Sequence, residues 1–231
     1  MRLEILPDAD AAASRAAARL AEAARAAVAA RGRFVFAVSG GHSPWVMLRA
    51  FGGEPLPWGK IHVFQVDERV ALAGDPDRNL THLKESLLSR APLPEANVHA
   101  MPVEAADLEA AARDYARELE RFAGSPPALD VVHLGLGPDG HTASLVPGDP
   151  VLSVTDRDVA PTAAYMGRRR MTLTYPVLDR ARSVLWLVTG PEKAPVLPRL
   201  MKGDRSIPAG RVNSDHADVI ADAAAAGTPL R

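Results

Sequence analysis

The chain has 231 residues, 47% hydrophobic and 24% charged, with a formal net charge of −1, which suits one α/β domain of ordinary size. So even a balance argues against a general affinity for nucleic acid or a membrane surface, which would call for a basic excess or patch. There is no cysteine, hence no disulfide framework and no thiolate site; a reducing compartment fits, and the cytoplasm is the expected location.

In chain order, Asp8 or Asp10 caps an alanine-rich helix reaching about Ala30, which Gly32 ends. Arginines and Glu22 interrupt that stretch, so it is read as neither a leader nor a membrane span. Phe34–Val38 is a buried strand that runs into Ser39-Gly40-Gly41-His42-Ser43-Pro44, with a helix from Trp45 to Ala50. Lys60–Val66 is the next strand and ends in Asp67-Glu68-Arg69. Asn79–Ser89 is helical, Asn97–Ala100 a short strand and Ala105–Phe122 a helix. After the turn at Ser125-Pro126-Pro127, a strand from Val131 enters a loop with three glycines, Pro138, Asp139 and His141 between positions 135 and 141. Met171–Thr174 is a strand, Pro176–Arg180 a helical turn, Ser183–Val188 an apolar strand and Glu192–Met201 a helix. A short strand near Asp218–Ala221 closes the chain before a loose tail after Ala223. Strands alternating with helices predict a single three-layer α/β/α domain spanning 1–231. Its sheet is open, mostly parallel and Rossmann-like, without dinucleotide binding.

The glycine loop at Gly135, Gly137 and Gly140 has the spacing of a dinucleotide fingerprint, but Pro147, Gly148 and Pro150 stop the long helix such a fingerprint must open. Asp139 and His141 sit two apart, close enough for the carboxylate to orient the imidazole, on a loop at the carboxyl end of a strand. A solvated histidine beside an ordinary Asp-Gly turn is the competing reading. Ser39, Gly40, Gly41 and Ser43 suit an anion cradle at a helix N-terminus, or a plain tight turn. The Walker glycine spacing is absent, and Ala37 stands where a nucleophile elbow needs glycine. Alternation puts Asp67 and Arg69 on one side, either as a structural ion pair or as substrate contacts. Lys193, at a helix start where the dipole disfavours a cation, suits a ligand phosphate or an exposed surface. Of Arg168, Arg169 and Arg170, the last lies next to a strand and is the choice for a phosphate contact. His42, His62, His82, His99, His133 and His216 show no metal-ligand spacing, so no metal is expected, and His133 is read as packed within its strand. In a parallel sheet these strand-to-helix junctions converge on one edge.

Taken in order, Ser39-Gly40-Gly41-x-Ser43-Pro44, Asp67-Glu68-Arg69, Asn79-Leu80 and Gly135-x-Gly137-Pro138-Asp139-Gly140-His141-x-Ala143-Ser144-Leu145 resemble the 6-phosphogluconolactonase family. Arg170-Met171-Thr172-Leu173-Thr174, Gly190 with Lys193, and Pro208 with Val212 complete the match, with Met171 where isoleucine or valine is commoner. The resemblance implies hydrolysis of 6-phospho-D-glucono-1,5-lactone without redox cofactor or metal, with His141 as general base and Asp139 fixing its tautomer. Glycine-loop amides or Arg69 would stabilise the oxyanion; the Ser39–Ser43 loop, Asp67, Arg170 and Lys193 would hold the phosphosugar. The expected partner is the small-molecule lactone, with no nucleic acid or membrane, and the chain is a monomer or small homo-oligomer. A related amino-sugar phosphate deaminase or isomerase would use Asp67 to abstract a proton at C2. The deaminases, however, carry a glutamate five residues after the histidine, where this chain has Val146, and an aromatic residue at the place of Arg69. A non-catalytic phosphosugar sensor is the third reading, weakened by the lack of a helix-turn-helix or basic region.

Overall fold

A strand core with side chains buried on both faces organises the molecule, and the computed structural model describes it over residues 1–227. The strands are β1 (Arg2–Leu6), β2 (Phe34–Val38), β3 (Ile61–Gln65), β4 (Asp67–Arg69), β5 (Val98–His99), β6 (Val131–Leu134), β7 (Val159–Pro161), β8 (Arg170–Leu173), β9 (Val184–Val188) and β10 (Ala217–Asp222). The helices are α1 (Ala9–Arg31), α2 (His42–Gly52), α3 (Asn79–Leu83), α4 (Leu108–Ala123), α5 (Tyr175–Asp179) and α6 (Leu197–Met201). Seven strands form a parallel sheet in the order β1-β10-β9-β6-β2-β3-β5.

Strand alternation divides the core into two layers. Val35 and Ala37 of β2 join Val184, Trp186 and Val188 of β9 under α4. Phe34, Phe36 and Val38 join Leu185 and Leu187 under α1 and α2. Alanines at 12, 13, 16, 17, 21, 24 and 27 give α1 a flat face that lies close against its layer. Asp8 is its cap, accepting the Ala11 amide at 2.8 Å, and Gly32 ends it at φ 77°. No helix among the described residues is long and apolar enough to cross a membrane.

The structure departs from the sequence reading in several places. β1, with exposed Leu3 and Ile5, is an edge strand that the pattern did not show. Asp67–Arg69 is not the tail of β3 but a strand of a second, antiparallel sheet ordered β4-β8-β7. Val66 is the joint: its amide donates to Val38 of β2 at 3.1 Å, while its carbonyl accepts from Leu173 of β8 at 2.8 Å. α2 starts at His42, earlier than expected, because Gly41 at φ 125° serves as its cap. The expected helix Glu192–Met201 is broken: Pro191–Lys193 is one short turn, Pro195 follows, and α6 begins only at Leu197. The helix-dipole argument for Lys193 therefore lapses. Finally, residues 223–227 form a turn with Ala225 fully buried and its amide donating to Asp222 at 2.7 Å; the rest of the expected loose tail lies outside the described residues.

Candidate active site

β2 and β6 lie side by side, but the chain continues from β2 towards β3 and from β6 towards β9, in opposite directions. That divergence opens a crevice at the carboxyl ends of the two strands, the place where open α/β sheets bind ligands. A cavity of about 210 Å³ occupies it, lined by Ser39 and Gly40 after β2 and by Gly135–Pro138, His141 and Ala143 after β6. Asp67, Arg69, Asn79, Arg170 and Lys193 complete the wall.

The loop after β6 is shaped by its glycines. Gly140 is at φ 83°, and a Cβ there would meet Ile207 at 2.6 Å. A Cβ on Gly137 would fall 2.1 Å from His141 Nδ1, so its absence is what gives the imidazole its seat. The Gly137 amide donates to the His141 carbonyl at 2.8 Å and the Gly140 amide to Gly137 at 3.0 Å. Those two amides are thus engaged within the loop, which shifts the donor role towards side chains. Asp139 Oδ1 receives the His141 backbone amide at 3.1 Å and lies 2.6 Å from His141 Nδ1. Burial works against the Asp139 charge, but the His141 amide and imidazole outweigh it and hold the carboxyl below its ordinary range. With Nδ1 held by the carboxylate, Nε2 is the nitrogen left for a ligand.

Three cations, Arg69, Arg170 and Lys193, line the same cavity. Arg170 is 8% exposed, with Nη1 at 3.5 Å from Ser144 Oγ and Nε without a partner. Burial pulls its guanidinium below the usual arginine range, and nearby Asp67 offsets part of that. An incoming anion would relieve this cost. Arg69 Nε is also buried without a partner, while Nη1 donates to the Asp77 carbonyl at 2.5 Å. Arg168 faces outward instead, paired with Asp75 and Asp77 at 3.2 and 3.1 Å, and Arg169 reaches the Thr162 carbonyl at 3.5 Å. Lys193 pairs with Glu192 at 3.2 Å and keeps only 17% side-chain exposure.

Asp67 and Arg69 do not pair with each other among the described residues. The Asp67 carboxylate accepts the Ser144 hydroxyl at 2.6 Å. Gly41 and Ser43 line an adjoining cavity of about 390 Å³, which shares Gly40, Gly135, Leu136 and Lys193 with the first. Ser43 Oγ and Thr189 Oγ1 share a hydrogen bond of 2.5 Å, so the expected cradle is split between two cavities. Among the described residues, no group of three or more His, Cys, Asp or Glu side chains could hold a metal ion.

Several site residues carry no role in the sequence reading. Asn79 donates to the Asp67 carbonyl at 2.9 Å and leaves Oδ1 without a partner; a Cβ on Gly40 would collide with that oxygen at 1.9 Å. Glu68 is fully buried and accepts from Gln65 Nε2 and the amides of Arg69, Asn79 and Leu80, each at 2.8 Å. It thereby welds α3 to β4. Tyr165 places its hydroxyl 3.4 Å from Asp139 Oδ2. For Glu68 the sequence signal was an acidic residue inside an otherwise strand-like run, which did not identify its partners, and Asn79 stood only in the Asn79-Leu80 motif of the resemblance.

Comparison with known proteins gives the family. The family model described as glucosamine-6-phosphate isomerases/6-phosphogluconolactonase matches residues 7–221. The chain is 45% identical over 171 residues to a 6-phosphogluconolactonase of Synechocystis sp., covering 72% of this chain and 71% of that protein. It is 38% identical over 202 residues to one from Nostoc sp., covering 86% and 84%. The crystal structure of 6-phosphogluconolactonase from Thermotoga maritima is similar with a TM-score of 0.84 at 27% identity, covering 96% of this chain and 98% of that one.

Proposed function

The chain belongs to the family of glucosamine-6-phosphate isomerases and 6-phosphogluconolactonases, and from that premise we propose that it hydrolyses 6-phospho-D-glucono-1,5-lactone to 6-phosphogluconate, a step of the oxidative pentose phosphate pathway, with His141 as general base. The observation that carries the reading is a single cavity lined by His141, whose Nδ1 Asp139 holds, together with Arg69, Arg170 and Lys193. We read residues 1–231 as one domain built around this cavity.

In the first step a water oxygen bonds to the lactone carbonyl carbon while His141 Nε2 takes its proton, and the carbonyl electrons move onto oxygen. Base catalysis of this kind contributes roughly 10²–10⁴-fold. Asp139 fixes the tautomer and stabilises the imidazolium. Arg69 is the assigned donor to the oxyanion, a contribution on the order of 10²–10³-fold for one well-placed donor. The intermediate then collapses: the carbonyl re-forms, the bond from C1 to the ring oxygen breaks, and that oxygen takes the proton back from His141. The acid product loses its proton to solvent. Arg170 and Lys193, with Ser39 and Gly40, hold the phosphate so that C1 lies against the base.

The deaminase or isomerase reading is not favoured. Val146 occupies the place of its glutamate, and Asp67, which it needs as a base, is engaged by Ser144. The test is lactone hydrolysis with substrate generated in place from glucose 6-phosphate by its dehydrogenase, at slightly acidic pH to slow the spontaneous reaction. Wild type should accelerate the loss of lactone and His141→Ala should lose at least about 100-fold of that in single turnover. An unchanged rate in His141→Ala would remove it from the mechanism.

A further inference from the structure

The loop from β7 to β8 carries a side chain that the hydrolytic scheme has not used. Its tip is a two-residue hairpin turn: Tyr165 and Arg168 exchange backbone hydrogen bonds at 2.9 and 3.3 Å, with Met166 at φ 51° and Gly167 at φ 80° between them. Positive φ at both central positions is the form that matches the twist of the flanking strands. The tip is pinned by the ion pairs of Arg168 to Asp75 and Asp77, and the Asp77 carbonyl also holds Arg69. Met166 is exposed at the apex, while Tyr165 is half-buried beside His141.

Three contacts meet on Tyr165. Its hydroxyl lies 3.4 Å from Asp139 Oδ2, the oxygen that His141 does not use. Its ring stands edge to face with the His141 imidazole, centroids 5.8 Å apart. The Arg170 guanidinium carbon lies 5.1 Å from the ring centroid, within cation–π range. The Asp139 side chain is partly open to solvent, and the amide and imidazole of His141 both hold Oδ1, so without a donor to Oδ2 the carboxylate could pivot about Oδ1 and shift the imidazole with it.

We propose that Tyr165 is a positioning residue for the hydrolytic step: its hydroxyl fixes the Asp139 carboxylate, and through it His141, while its ring seats Arg170 for the substrate anion. This rests on the assignment of His141 as base. Tyr165→Phe keeps the platform and removes the hydroxyl. It lowers kcat about three- to tenfold, the size of one ordinary net hydrogen bond, leaves KM unchanged, and does so equally with phosphorylated and unphosphorylated 1,5-lactone. Because the hydroxyl acts through Asp139, Tyr165→Phe costs nothing further in an Asp139→Asn background, a coupling that a merely structural role would not show. Tyr165→Leu also removes the platform and raises KM for the phosphorylated lactone alone.

The decisive experiment is steady-state kinetics of these variants on both lactones, with thermal unfolding of each. Wild-type kcat in Tyr165→Phe, or a full loss repeated in the Asp139→Asn background, overturns the role of Tyr165 while leaving His141 in place. Wild-type turnover in His141→Ala overturns both assignments together.

Discussion

The two sheets contribute to the same cavity by different means. The seven-stranded parallel sheet supplies loops: its strands end in glycine-rich turns that give backbone shape and, after β6, the Asp139–His141 pair. The three-stranded antiparallel sheet supplies side chains: Asp67 and Arg69 from β4 and Arg170 from β8 stand on its strands, with Tyr165 at its tip. The large sheet is held by apolar layers on both faces. The small one is held in part by buried charge, with Glu68 on its β4 strand facing Arg78 at 3.5 Å. His141 thus sits on a loop shaped by an apolar scaffold, and Arg69 and Arg170 sit on a patch whose integrity depends on hydrogen bonds.

The sharpest way to break that comparison is Glu68→Ala. It strips an acceptor from four donors and leaves Arg78 facing no carboxylate at that end. Removing one partner of a buried pair costs about 3–5 kcal/mol, so urea unfolding at neutral pH should show a loss of that size, with Arg69 and Asn79 displaced and turnover reduced. A loss below about 1 kcal/mol would mean that the small sheet is held by its apolar contacts after all.

A smaller effect, on a residue of the large sheet's loops, separates phosphate recognition from the hydrolytic chemistry. Lys193→Ala should raise KM for the phosphorylated lactone roughly 10–100-fold, as expected for a hydrogen bond between charged groups, and leave unphosphorylated gluconolactone nearly unaffected. Equal losses on both lactones would place Lys193 outside the phosphate contacts.

The third effect vanishes at neutral pH and appears only on acidification. In the large sheet, burial pushes His133 down to about 3, and burial with neighbouring His99 and Arg33 pushes His62 down to about 4, from an ordinary 6.5. Below about 6.5 the unfolded chain takes up protons that the folded chain refuses, so stability falls with decreasing pH until the folded values are reached. Above about 6.5 both states are neutral and the contribution is flat. His133→Leu, which also removes two buried nitrogens without partners, should flatten the slope of unfolding free energy between pH 6 and about 4. An unchanged slope would mean that protonation of His133 does not set the acid sensitivity of the fold.

Much of the large sheet was legible because its signals are local. Phe34–Val38 and Val184–Val188 are apolar runs whose neighbours alternate between two layers. Asp8 and Gly32 bracket α1 by their own conformational preferences, and Asp139 reaches His141 because they are two residues apart. The small sheet was not legible in the same way. Asp67–Arg69 is three residues long and continues a strand in sequence, so nothing in the run says that Val66 changes partners. Pro161 in β7 weakened the strand signal, and it is tolerated because β7 is an edge. Exposed Leu3 and Ile5 hid β1 by lacking a clean buried face.

By itself the amino-acid sequence determined the layered α/β class, the glycine loops and the contact of Asp139 with His141, because turns, caps and alternation depend on residues adjacent along the chain. The tertiary structure alone decided that β4 pairs with β8, that Ser43 turns to Thr189 rather than into the His141 cavity, and that Tyr165 meets Asp139. Those contacts join residues 26 to 146 positions apart. They form only when the closed core brings distant strand edges together, a pairing that no local preference encodes.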